Sequence, residues 1–280
     1  MFIIRRLSEI RWGEYSLVAL YVSIFSGIVV ALQYDSVHPF YSSVALDSLI
    51  PFGWFWRSLH FYSSQVFFLF SGFHLWAVIC NQSVLKLSLS KYIMLSGTLP
   101  VALLLLFTGY ILRGDTTGEF AGIIAENVTL SIPLLGGILN DFLFDITKKG
   151  MQNVYVNHLI GLVVLWLILA WDHIRRYPTG FLKHGLLYFM IVGLSFVLKA
   201  PMDINSPGEQ FFSGPWFFLG IQEIMRFIPP FWSGVVIPLL FIVALAMIRL
   251  DNIWGRRAVF FTSTWLVLYG GITLYSLLRF

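Results

Sequence analysis

Seven stretches of this chain, near residues 14–34, 54–80, 92–112, 154–175, 182–200, 231–249 and 257–278, are apolar over long runs. A helix needs roughly 20 such residues to cross the hydrocarbon layer of a bilayer. Composition agrees: of 280 residues, 58% are hydrophobic and only 11% charged, against about a quarter charged in a soluble domain. The expected fold is therefore all-α, a polytopic membrane protein of about seven spans. The opening MFIIRRLSEIRWGEY lacks the small-residue cleavage site of a signal peptide, so the first span is expected to stay in the mature protein.

Lysine and arginine in the loops set the orientation. One side collects Arg5, Arg6, Arg11, Lys86, Lys91, Arg175, Arg176, Lys183, Arg249, Arg256 and Arg257. The other collects Asp35, Asp47, Asp115, Glu119, Glu126, Asp141, Asp145, Asp203 and Glu209. The basic side is expected to face the cytoplasm, with the N-terminus there and the C-terminus opposite. The formal charge of +4 then reports topology, and no nucleic-acid-binding pattern accompanies it. One cysteine, Cys80, excludes an intramolecular disulfide, a CxxCH haem attachment and a multi-cysteine metal site; it reads as a buried thiol. Segment 113–153 has apolar residues at helical spacing and reads as surface helices at the membrane interface. YPTG closes the fourth span, so the chain divides into residues 1–180 and 181–280.

Six histidines occur, and four lie inside spans in two pairs: His60 with His74, and His158 with His173. Fourteen α-helical residues fall about 40° short of four turns and fifteen overshoot by about 60°. Each pair thus projects from roughly one face, its members about 21–22 Å apart along the axis. The two helices run in the same direction, which puts His60 level with His158 and His74 level with His173. Haem suits such an arrangement, because its iron takes axial imidazoles from opposite faces and its flat ring fills a bundle core. Zinc would want three or four ligands together, and no third ligand accompanies either pair. Hydrogen-bonded core histidines are the bland alternative, though ionisable groups in lipid are costly and mostly functional. Gly13 and Gly27 on the first span repeat the histidine interval, and Gly97 and Gly109 on the third come close to it. A residue without Cβ lets a flat ring approach the backbone, although small residues also serve helix packing. His38 and His184 read as surface residues.

These features resemble the cytochrome b/b6 family, the quinol-oxidising membrane subunits of bc-type complexes. YSSVALDSLIPFGWFWRSLH is similar to the family's approach to its second span, and FTGYILRGDTTGEFAG with SIPLLGG to the end of the third and the interfacial helices beyond it. The fifteen-residue interval between His158 and His173 resembles the b6 branch, and residues 184–278 resemble the separate subunit IV, fused here and ending after three spans. The resemblance implies a four-helix dihaem bundle plus three C-terminal helices. It implies two b haems, an outer one on His60 and His158 and an inner one on His74 and His173. Arg57 corresponds to an arginine that pairs with a haem propionate; the alternative is interfacial snorkelling. The b6 branch also carries a c-type haem cysteine at the position of Arg11, so none is expected.

Quinone chemistry is the second implication. The family oxidises quinol on the outer side at a Pro-Glu-Trp-Tyr motif, and GPWFFLGIQEIMRFIPP aligns with it. Trp216 and Arg226 match, but Gly214-Pro215-Trp216-Phe217 lacks the glutamate, Phe217 lacks the tyrosine hydroxyl, and Arg113-Gly114 replaces the usual Pro-Trp. A proton leaving quinol needs an acceptor within hydrogen-bond reach. Glu223 is the first candidate, with an ion pair to Arg226 as its alternative role, and Glu209 the second. Arg11, Lys86, Asp172 and Arg175 line the inner side as candidates for a quinone or propionates. The function expected is a dihaem subunit of a bacterial inner-membrane quinol oxidoreductase. Its expected partners are lipid, quinone and a c-type cytochrome or Rieske iron–sulfur subunit, in a multi-subunit complex that in this family is usually dimeric. Two readings compete: a transmembrane electron wire with the outer quinol site lost, docked to a multihaem cytochrome or dehydrogenase, and a proton-coupled transporter.

Overall fold

A computed structural model describes residues 6–177, 179–203 and 212–279, which excludes Arg5 and the candidate Glu209. Among the described residues the chain is all helix and turn, without a strand. Five helices are long and apolar enough to cross a membrane: α1 (Trp12–Ala31), α3 (Gly53–Cys80), α4 (Leu89–Ile111), α7 (Gln152–Ile174) and α11 (Ile253–Arg279). Between α1 and α3 lies the short α2 (Pro39–Ser48), and α5 (Thr116–Leu130) and α6 (Gly136–Leu143) follow α4. Two shorter apolar helices, α8 (Gly185–Val197) and α10 (Phe231–Met247), stand where the fifth and sixth spans are expected. The seven-residue α9 (Leu219–Met225) precedes α10. This is a multi-pass membrane architecture, and segment 113–153 is helical as its spacing predicts.

The chain divides into two compact units, Met1–Leu106 with Leu162–Met202, and Phe107–Gly161 with Asp203–Phe280. The core of the first is apolar and aromatic: Ala19 and Val22 from α1, Phe55, Leu59 and Phe67 from α3, Val101 and Ala102 from α4, Leu162, Trp166 and Ala170 from α7, and Ile191 from α8. Phe67 and Trp166 meet edge to face at 5.5 Å. Its outward positions are apolar too, with Phe25 61%, Ile168 61% and Trp171 60% exposed, the pattern of helices whose solvent is hydrocarbon. The α2–α3 corner depends on a glycine, because a Cβ on Gly53 would run into the Leu46 carbonyl. Cys80, the last residue of α3, is exposed. The expectation of a buried thiol is corrected here, since this residue ends the helix beyond the packed core.

The second unit is held by buried polar groups. Glu126 on α5, only 4% exposed, accepts from Asn140 Nδ2 at 3.1 Å, Thr147 N at 3.1 Å and Thr147 Oγ1 at 2.8 Å. These bonds fasten the 136–150 segment to α5 and satisfy a carboxylate that would otherwise be costly to bury. Tyr269 of α11 donates to the Phe217 carbonyl at 2.7 Å, and its ring lies where a Cβ on Gly220 would sit.

Candidate functional site

Three of the four paired histidines, His60, His74 and His173, belong to the first unit, and His158 belongs to the second. The rings of His74 and His173 lie with centroids 6.0 Å apart and planes at 40°. Two imidazoles held by one iron, each nitrogen about 2 Å from the metal, have centroids about 6 Å apart. The separation therefore matches that of bis-imidazole ligation, and no cluster of three or more His, Cys, Asp or Glu suited to another metal occurs among the described residues.

The glycines have a definite role. A Cβ on Gly13 would stand 3.1 Å from His74 Cε1 and Nδ1, one on Gly27 2.8 Å from His60 Cε1, and one on Gly109 3.0 Å from His158 Cε1. Each notch seats the edge of an imidazole. The shared fourteen-residue interval of α1 and α3 thus matches two notches to two histidines. Gly97 differs, since its nearest neighbour is Leu169 at 3.5 Å.

Two notches come with a hydrogen-bond partner that spacing alone does not reveal. His60 Nδ1 lies 2.8 Å from the Ser23 carbonyl, one helical turn before Gly27, and His158 Nδ1 lies 2.9 Å from Thr108 Oγ1, beside Gly109. A carbonyl can only accept, so His60 carries its proton on Nδ1 and leaves the Nε2 lone pair for a metal. The Thr108 hydroxyl beside Gly109 is the one signal available, since the Ser23 carbonyl is a backbone group that leaves no mark in the sequence.

Helix α7 contains a π turn over Asn157–Gly161 that includes His158. A π turn takes one more residue than an α turn. It absorbs the additional residue of the fifteen-residue interval, and Asn157 Nδ2 steadies it by donating to Phe142 O at 2.7 Å and Asn153 O at 3.0 Å.

Arg57 holds Asp47 with both arms of its fork, at 2.7 and 2.5 Å, and donates to Ala200 O at 2.7 Å. His184 is not the surface residue its sequence context suggests. Its side chain is 9% exposed and Nε2 sits 3.0 Å from Glu14 Oε2, because the turn before α8 folds onto α1. His38 is exposed and paired with Asp35. Asp172, about two-fifths exposed, collects Lys91, Arg175 and Arg176, while Arg11 pairs with Glu14.

In the second unit, Trp216 is 41% exposed and meets Phe217 edge to face. Glu223 is buried, its oxygens 3.3 Å from Arg226 and 3.3 Å from Arg279. A cleft of about 10 Å³, the space of one water, lies between α5 and the 212–222 segment, lined by Thr117, Phe120, Phe212, Gly214, Phe218 and Gln222 among others. Phe120 and Phe212 stack at 4.2 Å beside it. Gln222 shapes its wall by accepting from Gly214 N at 2.8 Å and donating to Phe212 O at 2.7 Å.

Known proteins agree with this reading of the helices. Residues 7–176 match the family model described as Cytochrome b/b6/petB. The cytochrome b of Dictyostelium discoideum is 23% identical over 290 aligned positions, spanning 89% of this chain and 74% of its own. That of Dictyostelium citrinum is 24% identical over the same spans. A chain of a hyperthermophilic respiratory Complex III superposes with a TM-score of 0.66 at 18% identity, over 95% of this chain and 82% of its own. With most of its length matched and its helices in place, the chain belongs to the cytochrome b/b6 family and is a multi-pass membrane electron-transfer cytochrome, a family that binds haem b.

Proposed function

We propose that the chain is the dihaem subunit of a membrane quinol/quinone oxidoreductase, with one b haem on His74 and His173 and a second on His60 and His158. The observation that carries this is the opposed His74–His173 pair at 6.0 Å, supported by the three glycine notches. Bound haem supplies one-electron transfer at a potential set by its axial ligands and burial. The residues of this chain orient two of the imidazoles, His60 through the Ser23 carbonyl and His158 through the Thr108 hydroxyl, and keep water away with the Phe67–Trp166 core.

In this proposal residues 1–180 form the haem-bearing part and 181–280 the subunit IV-like part. His60 and Arg57 lie toward the outer face, and the N-terminus lies in the cytoplasm of a bacterium. Arg57 offers a propionate a guanidinium already oriented by Asp47. The outer quinol site is built at the Thr117–Gln222 cleft beside Trp216, where the stacked Phe120 and Phe212 part to admit a ring. Glu223, with two guanidinium partners, braces α9 against α11. Asp172 and its basic neighbours stand at the inner end, beside His173. The partners are a Rieske iron–sulfur or c-type cytochrome subunit and the quinone pool.

The electron-wire reading has one specific support, the absence of a glutamate from Gly214-Pro215-Trp216-Phe217 beside a cleft with space for one water. Oxidant-induced reduction separates the two. A pulse of ferricyanide given to the quinol-loaded complex drives electrons into the b haems if the outer site splits the pair. An inhibitor of outer-site quinol oxidation abolishes the response. Haems that merely follow an external partner, without inhibitor response, would establish the wire.

A further inference from the structure

The turn after α4 buries an ionic cluster of unequal charge. Arg113, 9% exposed, is bound by Asp115, 0% exposed, and stands 3.3 Å from Asp203 Oδ2. Asp115 is fully committed: it accepts from Gly118 N at 3.0 Å as the N-cap of α5, and from Asp203 N at 2.8 Å. Asp203 differs. Its side chain is 42% exposed, and its Oδ2 accepts from the Thr117 hydroxyl. Thr117 in turn lines the cleft with Gly214, Phe218 and Gln222. A single hydroxyl therefore joins the cleft to a carboxylate that reaches solvent.

From this we infer that Asp203, reached through Thr117, accepts a proton from quinol oxidised at the cleft, in place of the missing glutamate. The inference rests on the outer quinol site proposed above. A quinol hydroxyl, directly or through one water, passes its proton to Thr117 Oγ1. Thr117 passes its own proton to Asp203 Oδ2, which becomes a carboxylic acid and releases it to water. The quinol's second proton leaves to bulk water, and its two electrons go to one-electron acceptors, a b haem of this chain and an iron–sulfur or c-type haem partner. Quinone is the product, so atoms and charge balance.

Charge counting selects Asp203 over Glu223, and exposure selects it over the fully buried Asp115. One guanidinium, Arg113, faces two carboxylates, so a proton on Asp203 leaves Arg113 matched by Asp115 and strands no buried charge. Glu223 has the opposite arrangement, one carboxylate against Arg226 and Arg279, and a proton there would leave two cations facing a neutral acid. The titratable and charged groups facing the relay are Arg113, Asp115 and Tyr110, whose ring packs under the Arg113 guanidinium at 4.5 Å.

The test uses the intact complex with decylubiquinol and with a menaquinol analogue, in wild type and in Asp203→Asn, Thr117→Val, Thr117→Ser and Glu223→Gln. Asp203→Asn and Thr117→Val should slow inhibitor-sensitive haem reduction about 100-fold or more. Thr117→Ser should restore the rate, because it keeps the hydroxyl. A carboxylic C=O band should appear in the oxidant-induced infrared difference spectrum of wild type and vanish in Asp203→Asn, which a merely structural role would not produce. If wild type reacts while Asp203→Asn reacts equally fast, the assignment of Asp203 is overturned and the quinol site stands. Loss of the rate and the band in Glu223→Gln alone would overturn it in favour of Glu223. Wild-type rates in Thr117→Val would overturn the relay. If Asp203→Asn fails to assemble, judged by lost haem absorbance, Thr117→Val and the wild-type infrared band decide. A wild type that oxidises neither quinol overturns this inference and the quinol site together.

Discussion

In the unit that holds His60, His74 and His173, the buried polar side chains are serines, several of which, such as Ser26, Ser63 and Ser195, donate to carbonyls of their own helices, and the Ser23 carbonyl meets a histidine ring nitrogen. The unit that holds His158 is built the other way, around Arg113, Asp115 and Asp203, around Glu126, and around Glu223 with its two arginines. Shape governs the first unit, since glycine notches and apolar rings fix where imidazoles sit. Charge governs the second, where removing one partner strands another. The two kinds of site should therefore fail differently, the first by losing cofactor and the second by losing fold or proton handling.

The largest effect is expected from His74→Ala, which removes one of the proposed axial ligands. Haem content should drop from two per chain to one, read by quantitative haem extraction, with the remaining component unshifted; retention of two haems would break the assignment. Next is Asp115→Ala, which leaves Arg113 buried without its closest counter-charge and costs about 3–5 kcal/mol. Its yield and thermal midpoint should fall while the haem on His74 and His173 in any recovered protein keeps its spectrum. A graded effect follows from the notches. Gly27→Val puts a branched side chain where Cβ alone would be 2.8 Å from His60, and should lower haem occupancy about tenfold or more. Gly13→Ala, at 3.1 Å, asks the ring to give by a few tenths of an ångström and should alter the spectrum only. Gly72→Ala, with nothing within 4 Å, should do neither. The smallest effect belongs to Thr108→Val. It removes the hydroxyl 2.9 Å from His158 Nδ1, lowers the basicity of the ring, and should raise one midpoint potential by roughly 60 mV or less, the scale of a tenfold change in a one-electron equilibrium.

The first unit is largely legible in the sequence, because its information is periodic. Apolar runs mark the helices, and the fourteen-residue intervals of histidine and glycine pair α1 with α3 without any structure. What the intervals do not disclose is the partner of each notch. At Gly13 and Gly27 that partner is the edge of an imidazole from the adjoining helix. Thr108 escapes notice because a lone small polar residue in an apolar helix has many ordinary uses, and Ser23 because its contact uses a backbone carbonyl that every residue carries. His184 misleads for a related reason. Sequence places it in a loop, and only the fold returns that loop to Glu14.

The second unit is less legible. Its contacts join residues about 90 positions apart, such as Arg113 with Asp203, and no period records them. The sequence does mark the place, through the departures at Arg113-Gly114 and Gly214–Phe217, but not the network that fills it. The π turn at Asn157–Gly161 lies between these cases. The fifteenth residue of the histidine interval is visible, and the wide turn that absorbs it is not.

The most direct test of the central claim is a potentiometric titration of the purified complex, followed by reduced-minus-oxidised absorbance in the b-haem band. Two one-electron components with separate midpoints are predicted, one of them lost in His74→Ala. A single component in the wild type would contradict the assignment of two histidine pairs, and with it the explanation of why two helices share a fourteen-residue interval.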